Sequence, residues 1–347
     1  MRTYNLALIG FGGVARSLAE IIRDDSERLA SSLGFRMCVV AITDLNMGTL
    51  EQPDGIDLAA VLAMPRGSTF AGLEGGTDEA RNEEVIRASN ADIVVEATFT
   101  NPVTGEPALS HVQWALQSGK HVTTTNKGPV ALAGNSLREL AAHQGTRFEF
   151  EGAVMSGTPV IRFASEMLSG TQIRGFQGIL NGTTNYVLGQ MSRGASLSDA
   201  VTEAQELGYA EADPTADIGG SDVKLKVSIL ANQIMGVALT PEDVSTQGIA
   251  DLTPDDIAAA QAQSQVWKLI GSAVRDPDGS VRAEVRPVAL SLDHPLAGIS
   301  GATNAIAFDT DLLGHVTVSG PGAGRTETAY ALLSDIIAIH AAQGAGE

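Results

Sequence analysis

The sequence predicts an α/β protein of two architectures, a doubly wound parallel sheet at the N-terminal end and an α+β domain after it. Three observations carry that expectation. A short apolar run over residues 4–9 stops at Gly10-Phe11-Gly12-Gly13 and gives way to helical periodicity. Strand-like apolar runs then alternate with helical segments, the grammar of parallel strands joined by crossover helices. From about Arg147 the alternation ends. The 347 residues suffice for two domains, and 44% apolar against 18% charged residues is the balance of a chain with cores to fill.

Taken in order, residues 4–9 are the first strand, and Val14, Leu18, Ile21, Ile22 and Leu29 recur behind it at helical spacing. Residues 37–43 form a second apolar run ending in Asp44, and 91–98 a third. Helical segments lie near 80–88 and 106–118, with a strand at 121–125. Beyond it, 147–154 reads as extended, and Thr158-Pro159 opens a helix with proline at its first position. Residues 172–180 alternate as a strand. Helices follow near 183–192, 197–207, 221–236 and 254–274, with extended runs at 281–292, 303–309 and 312–319. A glycine-rich turn leads into an amphipathic helix over 326–341.

Composition excludes several functions. Lys and Arg number 22 against 41 Asp and Glu, a formal charge of −19, whereas a phosphate-backbone binder needs a dense basic field. Nucleic acid is not an expected partner. The one cysteine, Cys38, permits no internal disulfide, and its apolar strand makes it a core residue rather than a nucleophile. The histidines, at 111, 121, 143, 294, 315 and 340, lack metal-ligand spacing. No apolar run approaches the ~18 residues of a membrane span, and no signal-peptide core develops at the start. A cytoplasmic protein is expected.

Gly10-Phe11-Gly12-Gly13-Val14-Ala15 fits G-x-G-x-x-G/A, between a strand and a helix as that motif requires. Glycines there let the backbone turn tightly against a pyrophosphate, whose charge meets the helix N-terminus. The N-terminal domain is therefore read as a Rossmann-type dinucleotide site. Asp44, at the end of the second strand, can accept from a ribose diol, although a surface acid fits there too. No Lys or Arg stands between Arg36 and Arg66 to clamp a 2′-phosphate, which favours NAD over NADP.

The lysines are Lys120, Lys127, Lys224, Lys226 and Lys268. Lys127 follows Thr123-Thr124-Thr125-Asn126 at a strand end, where open α/β sheets place ligands; a solvated lysine fits equally. Asp222 and Lys226 sit one helical turn apart after Gly219-Gly220-Ser221. At 100° per residue Lys226 lies about 70° and Asp222 about 110° from the centre of the Val223, Val227, Leu230, Ile234 stripe. Both flank the buried face, as a cleft wall or as a surface ion pair.

The chain resembles homoserine dehydrogenase over nearly its whole length. The residues that carry the resemblance are the loop Gly10 to Arg16; Glu96-Ala-Thr-Phe-Thr-Asn101 with Thr104-Gly-Glu-Pro-Ala108; Gly119-Lys-His-Val-Thr-Thr-Thr-Asn-Lys-Gly-Pro129; Asn181-Gly-Thr-Thr-Asn-Tyr186; Gly208-Tyr-Ala-Glu-Ala-Asp-Pro214; Asp217-Ile-Gly-Gly-Ser-Asp-Val223 with Lys226; and Gly320-Pro-Gly-Ala-Gly324. The resemblance implies NAD(P)-dependent reduction of L-aspartate 4-semialdehyde to L-homoserine, towards threonine, methionine and isoleucine. It also implies a dinucleotide domain over 1–147 and 320–347, completed by the C-terminal helix, and a catalytic and dimerisation domain over 148–319.

The family's nucleotide loop falls on Gly12, Gly13 and Val14, and its nicotinamide-side contacts near Thr98, Thr125, Lys127 and Gly322. Its substrate contacts fall on Gly182, Thr183, Tyr209, Glu211, Asp217, Asp222 and Lys226. A monovalent cation such as sodium, held largely by carbonyls, matches Glu151, Val154, Ser156 and Thr158, with Ser156 where many members have Gly or Ala. The resemblance further implies a homodimer whose sheet uses the runs 286–292 and 303–319. A chain ending at Glu347 is expected to lack the C-terminal regulatory module of some members.

The chemistry fits those residues. The alkoxide that forms on hydride addition needs a proton donor, which a lysine ammonium supplies. Lys226 takes that role with Asp222 holding it, Lys127 orients substrate, and Glu211 and Asp217 meet the substrate ammonium. Between Arg193 and Lys224 seven acids occur with no Lys or Arg. Two alternatives remain: a related dehydrogenase of another amino or hydroxy acid, and a non-catalytic NAD sensor. Phosphorylating semialdehyde dehydrogenases, which need a cysteine nucleophile, are set aside on Cys38.

Overall fold

Apolar strands shielded on both faces build the first unit. The computed structural model describes residues 1–65 and 67–344; Arg66 and residue 347, the expected end of the first domain, lie outside them. The chain divides into Met1–Ala153 with Gly324–Glu347, and Val154–Ala323. The first unit runs β1 (Arg2–Ile9), α1 (Gly13–Leu33), β2 (Phe35–Asp44), β3 (Gly48–Glu51), α2 (Leu58–Leu62), β4 (Gly76–Thr77), α3 (Asn82–Ala88), β5 (Ile93–Glu96), α4 (Ala108–Gln117), β6 (His121–Thr124), α5 (Lys127–His143) and β7 (Phe148–Glu149). Its sheet has the order β4-β3-β2-β1-β5-β6-β7.

The central pairs are parallel, β1 with β2 and β5, β5 with β6, and β6 with β7. The sheet is not parallel throughout, as the sequence suggested. β3 returns antiparallel on β2, and β4 antiparallel on β3. The link Leu45-Asn46-Met47 is too short for a parallel crossover. Leu6, Leu8, Ile42, Ile93 and Val95 are fully buried, which explains why the strands read as apolar runs rather than alternations. Of the run 147–154, only Phe148–Glu149 is strand, and Glu151–Ala153 is a tight helical turn.

The second unit carries β8 (Ile173–Ile179), α6 (Gly182–Met191), α7 (Leu197–Glu206), α8 (Thr215–Ile218), α9 (Ser221–Met235), β9 (Ser245–Thr246), α10 (Pro254–Ala262), β10 (Gln265–Arg275), β11 (Val281–Ser291), β12 (Thr303–Thr310) and β13 (Gly314–Pro321). The sheet order is β13-β12-β8-β10-β11-β9. α9 lies on β10 so closely that a Cβ on Gly271 would stand 2.6 Å from Val227 and 2.7 Å from Val223. Ile179, Ile270, Leu290 and Ala305 gather instead with Leu296 and Ala297 in a separate cluster.

Two expectations fail here. The helix read over 254–274 ends at Ala262; Ser264 takes the left-handed conformation at φ 56°, and Gln265–Arg275 pairs along its length with β11. A run of Val, Trp, Leu and Ile suits that half-buried pleat better than a helix. Thr158-Pro159 opens only a short helical stretch over residues 161–167, most of it the π-type turn Phe163–Met167.

The chain then returns to its first unit as α11 (Arg325–Gly344). Ala329, Leu332, Leu333, Ile336 and Ile339 join Leu18, Ile22 and Leu29 in one core. Polar ties accompany them: Thr123 Oγ1 donates to Asp335 at 2.7 Å, and the Tyr4 hydroxyl to Gln343 at 2.8 Å. Cys38 is half-buried rather than in the core. Burial raises its thiol pKa, with Asp54 adding to the effect, so it remains protonated and thiolate chemistry has no support.

Candidate active site

The cofactor half begins where β1 breaks. Gly10 sits at φ +84°, and a Cβ there would stand 2.9 Å from the Ala97 carbonyl, so both conformation and space demand glycine. Gly12 is the N-cap of the 21-residue α1 and offers no side chain to its amides; no acid stands in the first turn. A Cβ on Gly12 would meet nothing within 4 Å. Glycine there preserves open space beside uncapped N–H groups, which fits a dinucleotide diphosphate. Gly13 and Val14 follow as the first helical residues.

Asp44 lies against that loop. Its carboxylate accepts from the backbone N–H of Phe11 at 2.9 Å, Asn46 at 2.9 Å and Met47 at 3.3 Å. It holds the glycine turn to the end of β2 and keeps acceptor capacity for a hydroxyl. Arg16 stacks over Phe11 at 4.8 Å and reaches Met47 Sδ at 3.7 Å. Arg16 thus brings a positive charge beside the Asp44 turn from α1, although residues 37–65 hold no Lys or Arg.

At the other strand ends, Thr98 donates through both its amide and its hydroxyl to Glu96. The Thr124 hydroxyl donates to the same carboxylate at 2.9 Å. Glu96 is completely buried, with His111 Nδ1 3.6 Å away. Glu96 was legible only as part of a motif, because a strand-end acid ordinarily faces water. Thr125 packs on Gly152, where a Cβ would stand 2.5 Å from its methyl. Lys127 is the first residue of the 17-residue α5, capped by Asn126. A cation at a helix N-terminus is unfavourable by about 0.3–1 kcal/mol, so its place there is not explained by helix stability.

The substrate half lies wholly in the second unit. Lys226 is 8% exposed, deeper than the flank position read from the helical wheel. Its ammonium donates to the Leu180 carbonyl at 2.6 Å and pairs with Asp222 at 2.8 Å. An ammonium has three donors, so one remains for a substrate oxygen. Asn181 donates to Asp217 at 2.6 Å and to Asp222 at 3.0 Å. Burial raises the Asp217 pKa; the Asn181 hydrogen bond opposes this, Asp222 and Glu211 push it further up, and Lys226 pulls it down. Three acids around one lysine form a site short of positive charge.

Thr183 Oγ1 donates to the Tyr209 carbonyl at 2.5 Å, joining the start of α6 to the segment that carries Glu211. Tyr209 is 46% exposed, its ring 5.1 Å from that of Tyr186, and Glu211 is exposed. At Gly182 a Cβ would stand 2.5 Å from the Ala302 carbonyl, so backbone proximity rather than φ requires glycine. Gly322 lies against the side chain of Asn304. Both polar atoms of that buried carboxamide lack a hydrogen-bond partner. The sequence offered no signal for Asn304.

Glu151, Val154, Ser156 and Thr158 are all buried. Met155 and Ser156 are left-handed at φ 59° and 55°, and the Thr158 hydroxyl donates to the Pro321 carbonyl at 2.9 Å. Among the described residues no cluster of three His, Cys, Asp or Glu could hold a metal. No helix among the described residues is long and apolar enough to cross a membrane.

The chain matches the family models for "Homoserine dehydrogenase, NAD binding domain" over residues 10–151 and "Homoserine dehydrogenase" over residues 159–337. It is 56% identical to the NAD(+)-dependent homoserine dehydrogenase of Pseudomonas canavaninivorans, over 98% of this chain and 97% of that one. A crystal structure from Archaeoglobus fulgidus, assigned to the homoserine dehydrogenases, superposes with a TM-score of 0.86 at 35% identity, covering 97% of this chain and 99% of that one. A hyperthermophilic archaeal homoserine dehydrogenase in complex with NADPH superposes with a TM-score of 0.82 at 30% identity, covering 97% and 98%.

Proposed function

The chain belongs to the homoserine dehydrogenase family, and from that premise we propose how its residues carry out the reversible, NAD(P)-dependent reduction of L-aspartate 4-semialdehyde to L-homoserine. The observation that carries the proposal is the buried Lys226 ammonium, committed to Asp222 and the Leu180 carbonyl with one donor left over. The nicotinamide supplies the hydride. Lys226 gives a proton to the oxygen of the former aldehyde as negative charge develops on it, and water restores that proton afterwards. Asp222 holds the ammonium in place. Asp217 and Glu211 take the substrate's ammonium, answering the local excess of acid. Gly182, Thr183 and Tyr209 frame the substrate, and Thr98, Thr125, Lys127 and Gly322 serve the nicotinamide side.

We favour NAD over NADP. Gly10, Gly12, Gly13 and Val14 receive the diphosphate, and Asp44, held by three backbone N–H groups, accepts a ribose diol and repels a 2′-phosphate. Arg16 is the residue that opposes this preference. Carbonyls at Val154, Ser156 and Thr158, with Glu151, are the proposed ligands of a monovalent cation; melting in sodium against N-methylglucamine buffers reads that directly. The exposed β13 edge supports a homodimer, which a light-scattering mass at micromolar concentration checks. The lone, protonated thiol supports a cytoplasmic enzyme.

Steady-state oxidation of L-homoserine with NAD and with NADP tests the central claim. Turnover with a higher kcat/KM for NAD is expected. Absence of turnover with both cofactors would reject the proposal, and a preference for NADP would transfer the selecting role from Asp44 to Arg16.

A further inference from the structure

Asn181 is 6% exposed and caps α6, its Oδ1 accepting from the Thr184 amide at 2.9 Å and the Thr184 hydroxyl at 3.0 Å. Those bonds identify the oxygen end of the carboxamide, so the other end carries two hydrogens. One goes to Asp217 at 2.6 Å and the other to Asp222 at 3.0 Å. Capping needs only an acceptor, and Ser, Thr or Asp would cap as well. What asparagine adds is the NH2 group, and both of its hydrogens are spent on the two acids.

We propose that Asn181 is the positioning residue of this site, holding Asp217 for the substrate's ammonium and Asp222 for Lys226 with one N–H apiece. The inference rests on the roles given above to those two acids. Asn181 touches neither the hydride path nor the transferred proton. It acts by orienting two neighbouring carboxylates and by opposing the rise that burial imposes on the Asp217 pKa. The groups around it are Asp217 from α8, Asp222 and Lys226 from α9, Glu211 and Tyr209 from the segment before α8, and the Thr184 hydroxyl from α6. Among these only Lys226 is positive. Without the carboxamide hydrogens, Asp217 and Asp222 face each other beside Glu211, and like charge raises their affinity for protons.

The test uses the full-length enzyme with Asn181→Asp and Asn181→Ser, both of which retain an acceptor for the Thr184 amide. Both variants are expected to melt within a few degrees of the parent and to bind NADH within about twofold of it. KM for L-homoserine should rise about tenfold or more, with a smaller change in kcat. The acid limb of kcat/KM should move up by about one pH unit, more for Asp than for Ser. An unchanged KM and acid limb in both variants overturns the inference, as does a loss confined to thermal stability. Asp217→Asn separates the two layers of the argument. If it raises KM while the Asn181 variants do not, only this inference fails; if it leaves KM unchanged, the role given to Asp217 fails with it.

Discussion

Lys226 and Lys268 lie in the same unit, are 8% and 4% exposed, and meet different partners. Lys226 on α9 has the Asp222 carboxylate at 2.8 Å. Lys268 on β10 donates to the Asn185 carboxamide oxygen at 2.8 Å and to the Ile299 carbonyl at 2.5 Å. Among the described residues no carboxylate lies within ion-pair distance of Lys268. Burial lowers its pKa from 10.5 to about 8. A buried ammonium is costly unless paired, so the two lysines separate two uses of one residue type. One is paired with a carboxylate one helical turn away, and the other ties β10 to α6 through neutral acceptors.

The largest expected effect comes from replacing each lysine in turn. Lys226→Met should lower kcat by about 10³-fold, within the 10²–10⁴ range of a lost general acid, with NADH affinity retained. Lys268→Met should leave kcat within about threefold. Equal losses in the two variants would break the comparison, and a change in KM alone would make Lys226 a binding residue.

The next effect lies in stability. Lys268 binds its proton more weakly folded than unfolded, so between pH 8 and 10.5 the unfolded chain holds more protons and stability rises with pH. The penalty is fully present below about pH 8 and worth about 3 kcal/mol. Denaturant unfolding at pH 7.5 and pH 10 should show this contribution in the parent and lose it in Lys268→Met.

The smallest effect sharpens the contrast. Asp222→Asn leaves Lys226 with neutral acceptors only, the surroundings of Lys268, and should reduce kcat/KM about thirtyfold, a transition-state cost of about 2 kcal/mol. Parental kcat/KM in that variant would show that the pair is structural.

The glycine loop was readable from sequence because Gly10 meets a conformation and a close approach that demand glycine, because Gly12 leaves the first amides of α1 uncovered, and because α1 announces itself by its apolar spacing. Lys226 and Asp222 were readable as a pair, being one turn apart on a single helix. Asn181 was not, since an asparagine before a helix is explained by capping alone, and its two acids come from elements about 40 residues away. α5 escaped because Gly128, Pro129 and Gly134 mimic a loop, although proline is tolerated in a first helical turn. β10 was mistaken for a helix continuation because its break is a single left-handed serine, Ser264. Lys268 and Asn304 acquire meaning only from neighbours distant in the chain.

The return of α11 to the first unit has a consequence for synthesis. The ribosome completes β1 to β7 and must then make all of Val154–Ala323 before the helix that covers Leu18, Ile22 and Leu29 emerges. At roughly 5–20 residues per second that interval is on the order of ten to thirty seconds. Throughout it the nascent first unit presents an apolar furrow to the cell, a footprint well suited to a chaperone. Ribosome profiling with chaperone pulldown should find the contact beginning after β7 and ending once α11 has cleared the exit tunnel.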